Sequence, residues 1–143
     1  MIEAARFADL NVDVLYRILR LRSEVFVVEQ ECVYLDPDGR DAEPDAWHLW
    51  AAEDGDVVVA GRLLREDDGS WRIGRVATAP EARGRGLAAA LVQRAVELCG
   101  DDRPIELHAQ SHLLEWYRTL GFEPCGPEYI DDGIPHTPMT LVI

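Results

Sequence analysis

The run Arg83-Gly84-Arg85-Gly86-Leu87-Ala88 is the part of this chain best suited to holding a phosphate. It follows the apolar segment Ile73 to Thr78 and opens an amphipathic stretch that continues to about Cys99. Backbone N–H groups in a Gly-rich turn and in the first turn of a helix lack intrahelical partners, so they can converge on an anion. Glycine reaches the tight turn without strain and puts no Cβ in the ligand's way. Glycines can also do no more than end a strand. Arg83 and Arg85, however, add a local positive island to a chain of formal net charge -13, and an anion gains from both the side chains and the helix terminus. The run lacks the Lys-Ser/Thr pair of a P-loop, which sets aside a nucleotide triphosphatase.

The elements that must position this turn can be read from periodicity. Ile2 to Phe7 is a first strand. Asn11 caps a helix with Leu15, Ile18, Leu19, Arg22, Val25 and Phe26 along one side, and the β-branched, aromatic run Val25 to Val28 ends or frays it, leaving Glu29-Gln30 at its edge. Tyr34 to Asp45 is a loop; Asp36, Asp38 and Asp41 have the wrong spacing for calcium and are expected to be an exposed acidic loop. Ala46–Glu53, Val57–Glu66 and Trp71–Thr78 form an antiparallel meander, with Trp47, Leu49 and Ala51 alternating against His48 and Trp50. The helix after Arg85 turns Ala88, Leu91, Val92, Ala95 and Val96 to the sheet and ends at Cys99-Gly100. Ile105–Ala109 is a strand lying beside 71–78. A short helix from about Ser111 to Leu120 follows, and Phe122–Cys125 with His136–Val142 close the sheet as a hairpin around a long loop.

Composition bounds the rest. A chain of 143 residues, 48% of them hydrophobic, builds one domain, here 1–143. No apolar stretch reaches the roughly 20 residues that cross a bilayer, and the N-terminus has no signal-peptide pattern, so a cytoplasmic location is expected. Three cysteines without close spacing argue against a disulfide framework or a cysteine metal knuckle. The acidic balance argues against nucleic acid and anionic membranes as partners and draws cations toward acidic clefts. Trp47, Trp50 and Trp71 leave room for an aromatic surface that a second copy, as a homodimer, could cover.

With these motifs in order, the chain resembles the GNAT superfamily of N-acetyltransferases, and within it the ElaA-like branch. The superfamily's pyrophosphate motif is matched by Arg83 to Ala88, preceded by Gly74-Arg75-Val76-Ala77-Thr78, and its second signature by Glu115-Trp116-Tyr117-Arg118-Thr119-Leu120-Gly121-Phe122. The narrower resemblance rests on Arg22 to Gln30, Asp36-Pro37-Asp38-Gly39, Ala109-Gln110 and Asp132-Gly133-Ile134-Pro135-His136. It implies an α+β domain with a central mixed, mostly antiparallel sheet flanked by helices and splayed between the strands at 71–78 and 105–109. It also implies acetyl-CoA as donor, its pyrophosphate on Arg83, Gly84, Arg85, Gly86, Leu87 and Ala88. The pantetheine arm lies along Val76, Ala77 and Thr78, with Gln110 or Ser111 near the cofactor.

The implied reaction is direct transfer of acetyl to a primary amine, on a small molecule or a protein, in a ternary complex. The alternative is a regulatory module that binds acetyl-CoA or CoA without turnover. Transfer needs an amine without its extra proton, donors for the carbonyl oxygen and an acid near the leaving thiolate. Tyr117 is the candidate acid by resemblance. The Val76 amide is the candidate donor. For the base, Glu29 at the helix edge is expected to have its pKa raised by partial burial. His136 and Asp132, in the late loop, face the acceptor, and His108 and His112 are further candidates for a proton relay, as is a water chain. A metal at His108 and His112 is disfavoured, because a strand-to-helix junction lies between them and no third ligand is evident.

Overall fold

The computed structural model describes residues 1–142. Its strands are β1 (Glu3–Arg6), β2 (Trp47–Glu53), β3 (Asp56–Arg65), β4 (Trp71–Thr78), β5 (Ile105–Gln110), β6 (Phe122–Pro124), β7 (Tyr129–Asp131) and β8 (Ile134–Leu141). The helices are α1 (Val12–Arg22), α2 (Leu87–Cys99) and α3 (Leu114–Arg118). The sheet runs β1-β2-β3-β4-β5-β8-β6, with β7 also on β8, and only β4–β5 is parallel. The parallel pair follows from the crossover through α2, as a strand–helix–strand unit requires. No helix among the described residues is long and apolar enough to cross a membrane.

Both faces of the sheet are covered in its first half. Leu49, Leu63, Ile73, Leu107 and Met139 pack with Leu91, Val92 and Ala95 of α2 and with Tyr117 and Phe122. Ile18, Leu21 and Val25 cover Val58, Ala60 and Ala77 on the opposite face. A side chain at Gly61 would bring its Cβ within 2.5 Å of Leu91 Cδ2, so glycine is what lets α2 lie against β3. Asn11 caps α1 by accepting from the Asp13 N–H at 2.8 Å.

Four expectations are revised. The segment after α1 does not fray; it continues as a π-helical stretch, Ser23–Glu29, because Val25 is buried and its packing outweighs weak helix propensity. The long loop between β6 and β8 contains β7. Trp71 is buried, Trp47 and Trp50 are half-buried, and Arg6 lies over the Trp47 ring, so these tryptophans form no aromatic face for a second copy. The fourth revision concerns charge. Asp36 and Asp41 are buried rather than exposed, and so are Arg22, Arg62 and His48.

These groups make one network. Arg22 donates to Asp36 and to Asp41, each at 2.8 Å. Arg62 forks onto Asp38 at 2.6 and 2.8 Å and reaches Asp41 at 3.0 Å. Arg75 pairs with Asp36 at 2.9 Å and Tyr34 donates to the same carboxylate. His48 Nε2 donates to the Asp41 carbonyl. Loop 34–42 is thereby fastened to α1, β2, β3 and β4 together.

The network sets the acid stability of the protein. Two hydrogen bonds from Arg62 hold the Asp38 carboxyl well below the usual carboxylate range. Burial works to raise Asp41, but the hydrogen bonds and charge of Arg22 and Arg62 outweigh it and leave it lowered. Carboxyls depressed in the folded state stabilise fully above their unfolded value of about 4, and lose that contribution as pH falls through it toward the folded values. Urea titrations at stepped pH are expected to show unfolding free energy declining below about pH 5, with Asp38→Asn flattening part of the slope. Arg22→Met, which takes one of two arginine partners from each of two buried carboxylates, is expected to cost about 3 kcal/mol in the same assay at neutral pH.

Candidate active site

The parallel ladder between β4 and β5 is short. Its register runs from Trp71↔Ile105 to Ile73↔Leu107 and stops there. On the other edge of β4 the antiparallel register with β3 slips: Arg62 faces Gly74, Ala60 faces Ala77, and Arg75 and Val76 bulge out opposite Gly61. Arg75 takes φ 51° at this bulge. Beyond Gly74 the backbone groups that β4 turns toward β5 therefore have no strand opposite them. The expected splay is present, and a cleft of about 790 Å³ opens from it, a size that suits a cofactor.

On the donor side, Gly84 and Gly86 have φ of 78° and 77°, and a Cβ at either would meet nothing within 4 Å. Their role is backbone geometry and open approach, not packing. The first intrahelical bond of α2 runs from the Ala90 N–H to the Gly86 carbonyl at 3.0 Å, so the N–H groups of Leu87, Ala88 and Ala89 precede it. The positive island is weaker than expected. Arg83 donates to the Thr78 carbonyl at 3.1 Å and forks onto Glu29 at 2.8 and 2.7 Å. Arg85 is paired with Glu53 and is off the cleft wall. Attraction for an anion here comes from the helix terminus more than from free guanidinium charge.

Val76, Ala77, Thr78, Arg83, Gly84, Gly86, Leu87, Ala88, Gln110, Glu29, Asp132, His136 and Tyr117 all line the cleft, whereas Ser111, the alternative to Gln110, is off its wall and hydrogen-bonded to Thr137. Tyr117 packs edge-on to Trp116 and Phe122 with only 8% of its surface exposed, and burial pushes its phenol up to about 12. His136 Nδ1 lies 2.8 Å from the Ile134 carbonyl, which can only accept, so in the neutral imidazole Nδ1 carries the hydrogen and Nε2 the lone pair. Gln30 and Gln110 hydrogen-bond each other across the cleft at 3.3 Å. Glu29 reverses its expectation: the hydrogen bonds from Arg83 outweigh burial and hold its pKa below the ordinary value. Nor is the cleft acidic. Glu29, Asp38, Asp131 and Asp132 share its wall with Arg40, Arg62, Arg72, Arg75 and Arg83.

Sequence reasoning missed part of the cleft wall. Tyr129 stacks on His136, with ring centroids 5.6 Å apart, and its hydroxyl lies 2.5 Å from His108 Nδ1. Arg72, His108 and Gln110 share the sheet face away from α2, because side chains alternate along β4 and β5. The alternation of Trp71, Arg72 and Ile73 carried that signal. Nothing in the isolated run Tyr129–Asp131 marked it as a strand.

The sequence pattern of the acetyltransferase (GNAT) domain family matches residues 28–143. A UPF0039 protein of Mycobacterium tuberculosis is 44% identical over 135 residues, covering 92% of this chain and 86% of that protein. Protein ElaA of Escherichia coli is 39% identical over 137 residues, covering 92% and 90%, and its crystal structure superposes with a TM-score of 0.93 over 99% of both chains. The crystal structure of an acyl-CoA N-acyltransferase from Pseudomonas aeruginosa gives a TM-score of 0.92 at 39% identity, again over 99% of both chains.

The Glu29–Arg83 fork is open to direct measurement. In carboxyl-resolved NMR titration of the cofactor-free protein, Glu29 is expected to titrate below ordinary glutamates and to return toward about 4.3 in Arg83→Gln. A value above the ordinary range would show that burial, not Arg83, governs it.

Proposed function

The chain belongs to the GNAT acetyltransferase family and is an acyl-CoA-dependent N-acyltransferase; on that premise we propose that its donor is acetyl-CoA and that the amine attacks the thioester directly in a ternary complex. The observation that carries this reading is the junction of a splayed β4 edge with the bare N-terminus of α2 in one cleft. The extended pantetheine arm pairs with the open edge at Val76 to Thr78, as an added strand would. The pyrophosphate takes the N–H groups of the 84–89 segment. Direct attack is favoured because Cys32, the one cysteine among the described residues of the cleft wall, shares its S–H between the carbonyls of Gln30 and Asp132 and is hydrogen-bonded to no side-chain base.

The roles of the polar groups follow from their protonation. Tyr117 keeps its proton far above neutral pH, whereas a thiol leaving group of the cysteine type has a pKa of about 8.5. Full proton transfer to the thiolate is therefore uphill, and Tyr117 serves by donating a hydrogen bond to sulfur as charge develops there. His136 takes the amine proton on Nε2, directly or through water, because its Nδ1–H is already committed. Glu29, held ionised by Arg83, positions the donor loop rather than acting as base. Asp132, which lines the same cleft as His136, is assigned to the acceptor side.

Two sets of variants test these assignments. Gly86→Glu puts a side chain and a negative charge where phosphate is held. It is expected to raise the acetyl-CoA dissociation constant at least tenfold by calorimetry, a loss of about 1.4 kcal/mol, and unchanged affinity in the folded variant would refute the site. Tyr117→Phe should lower kcat roughly ten- to a thousandfold with little change in acetyl-CoA affinity, as expected for a group acting only in the transition state. His136→Gln should abolish the ascending limb of the kcat/KM pH profile. A retained limb would pass the proton to a water chain.

A further inference from the structure

Of the five arginines on the cleft wall, four are matched by carboxylates. Arg40 pairs with Glu43 and Glu66, Arg62 with Asp38 and Asp41, Arg75 with Asp36 and Asp38, and Arg83 with Glu29. Arg72 alone makes no ion pair and no hydrogen bond among the described residues, although it is half-buried. Its nearest candidates do not satisfy it. Glu66 is committed to Arg40 at 2.6 Å, and Glu106, opposite Arg72 in the β4–β5 register, has not closed to ion-pair distance and instead receives the Cys125 S–H. The residue is thus partly enclosed in the cleft wall with its guanidinium free to take an anion.

Its surroundings are built to take one. Across the splay stand His108 and, hydrogen-bonded to it, the Tyr129 hydroxyl. Burial lowers the His108 pKa, and the positive charge of Arg72 adds to the effect, so the imidazole stays neutral beside the guanidinium. In the His108 tautomer with hydrogen on Nδ1, that N–H donates to the phenol oxygen and leaves the Tyr129 O–H to donate into the cleft. Arg72 offers a planar fork that suits a carboxylate.

We propose that Arg72 and Tyr129 form a carboxylate-binding subsite on the acceptor side, and that the acceptor is an amino-acid-type amine carrying a free carboxylate. This rests on the acyl-transfer reading of the same cleft. The spacing fits it. Arg72 and Val76 are four residues apart on β4, at most roughly 13 Å between Cα atoms, and the arginine side chain spans part of that distance. A carboxylate on Arg72 therefore leaves an amine a few bonds away within reach of a thioester beside Val76. An acceptor with cationic groups alone would leave Arg72 unmatched and face it with like charge.

The test compares free amino acids with their carboxamides, which keep the amine and lose the anion. With acetyl-CoA, the wild-type protein is expected to prefer the acid in kcat/KM by roughly ten- to a hundredfold, the usual range for a hydrogen-bonded charge. Arg72→Gln should bring that ratio toward one, and Tyr129→Phe should reduce it severalfold. Calorimetric binding of the same pairs to the protein–CoA complex reads the subsite without turnover, and thermal melting confirms that each variant is folded. Acid-dependent binding that Arg72→Gln removes supports the subsite even if no amine is acetylated, an outcome that would sink the acyl-transfer reading alone. Turnover indifferent to the carboxylate, or a preference that survives Arg72→Gln, overturns the subsite and leaves acyl transfer standing. Neither binding nor turnover with any pair overturns both.

Discussion

The active cleft depends on ions that water cannot reach. Arg22, fully enclosed on the inner face of α1, meets two aspartates of the 34–42 loop, which Arg62 and Arg75 hold from the sheet side. Three guanidinium groups and three carboxylates balance, so the cluster buries no net charge. Such clusters gain little over apolar packing, because desolvation offsets most of the Coulomb attraction. They are, however, exacting about geometry. Here the forked arginines fix a loop whose regular structure is a single 3-10 turn, Arg40–Ala42, into one wall of the cleft, where Tyr34, Asp38 and Arg40 then stand.

The opposite wall depends on a failure of pairing. β4 and β5 hold together for three residue pairs and then part, and the bulge at Arg75 and Val76 turns the freed edge outward. Loss of ladder hydrogen bonds would be costly in a closed interior, where backbone groups must find partners. It is tolerable here because the edge is open to solvent or to a ligand with amides of its own. α2 begins at the same place, its capping residue a glycine with no side chain to occupy the first N–H groups. Binding capacity and incomplete secondary structure are thus the same feature seen twice.

How much of this could be read from the chain varied with the range of the interaction. The donor side is local: strand, glycine turn and helix are contiguous in sequence, and periodicity with turn chemistry placed them correctly. The splay was implied by resemblance, and the register bears it out. The acidic loop was misjudged because charge alone says nothing of partners, and Asp36 and Asp41 look solvated until Arg22 is set beside them. One clue was present. An arginine among Ile18, Leu19 and Val25 on an apolar stripe needs a buried counter-ion. Glu29 was misjudged for a related reason, since Arg83 lies 54 residues away in sequence. β7 has three residues, all exposed, and too little pattern to be seen.

That short strand has an implication for how such a fold diversifies. β7 is off the main strand path, attached only to β8, and contributes nothing to either hydrophobic cluster, yet it carries Tyr129 to the acceptor side. The donor apparatus occupies one continuous stretch of chain that is also core. The acceptor wall is assembled from separate pieces: the end of the π-helical segment, one arginine of β4, two positions of β5 and the β7–β8 turn. Sequence drift in that turn can therefore retune which amine is acylated at little expense in folding free energy. Drift in the donor stretch strikes packing and cofactor grip together. Descendants of such a chain would keep their coenzyme while exchanging their amines.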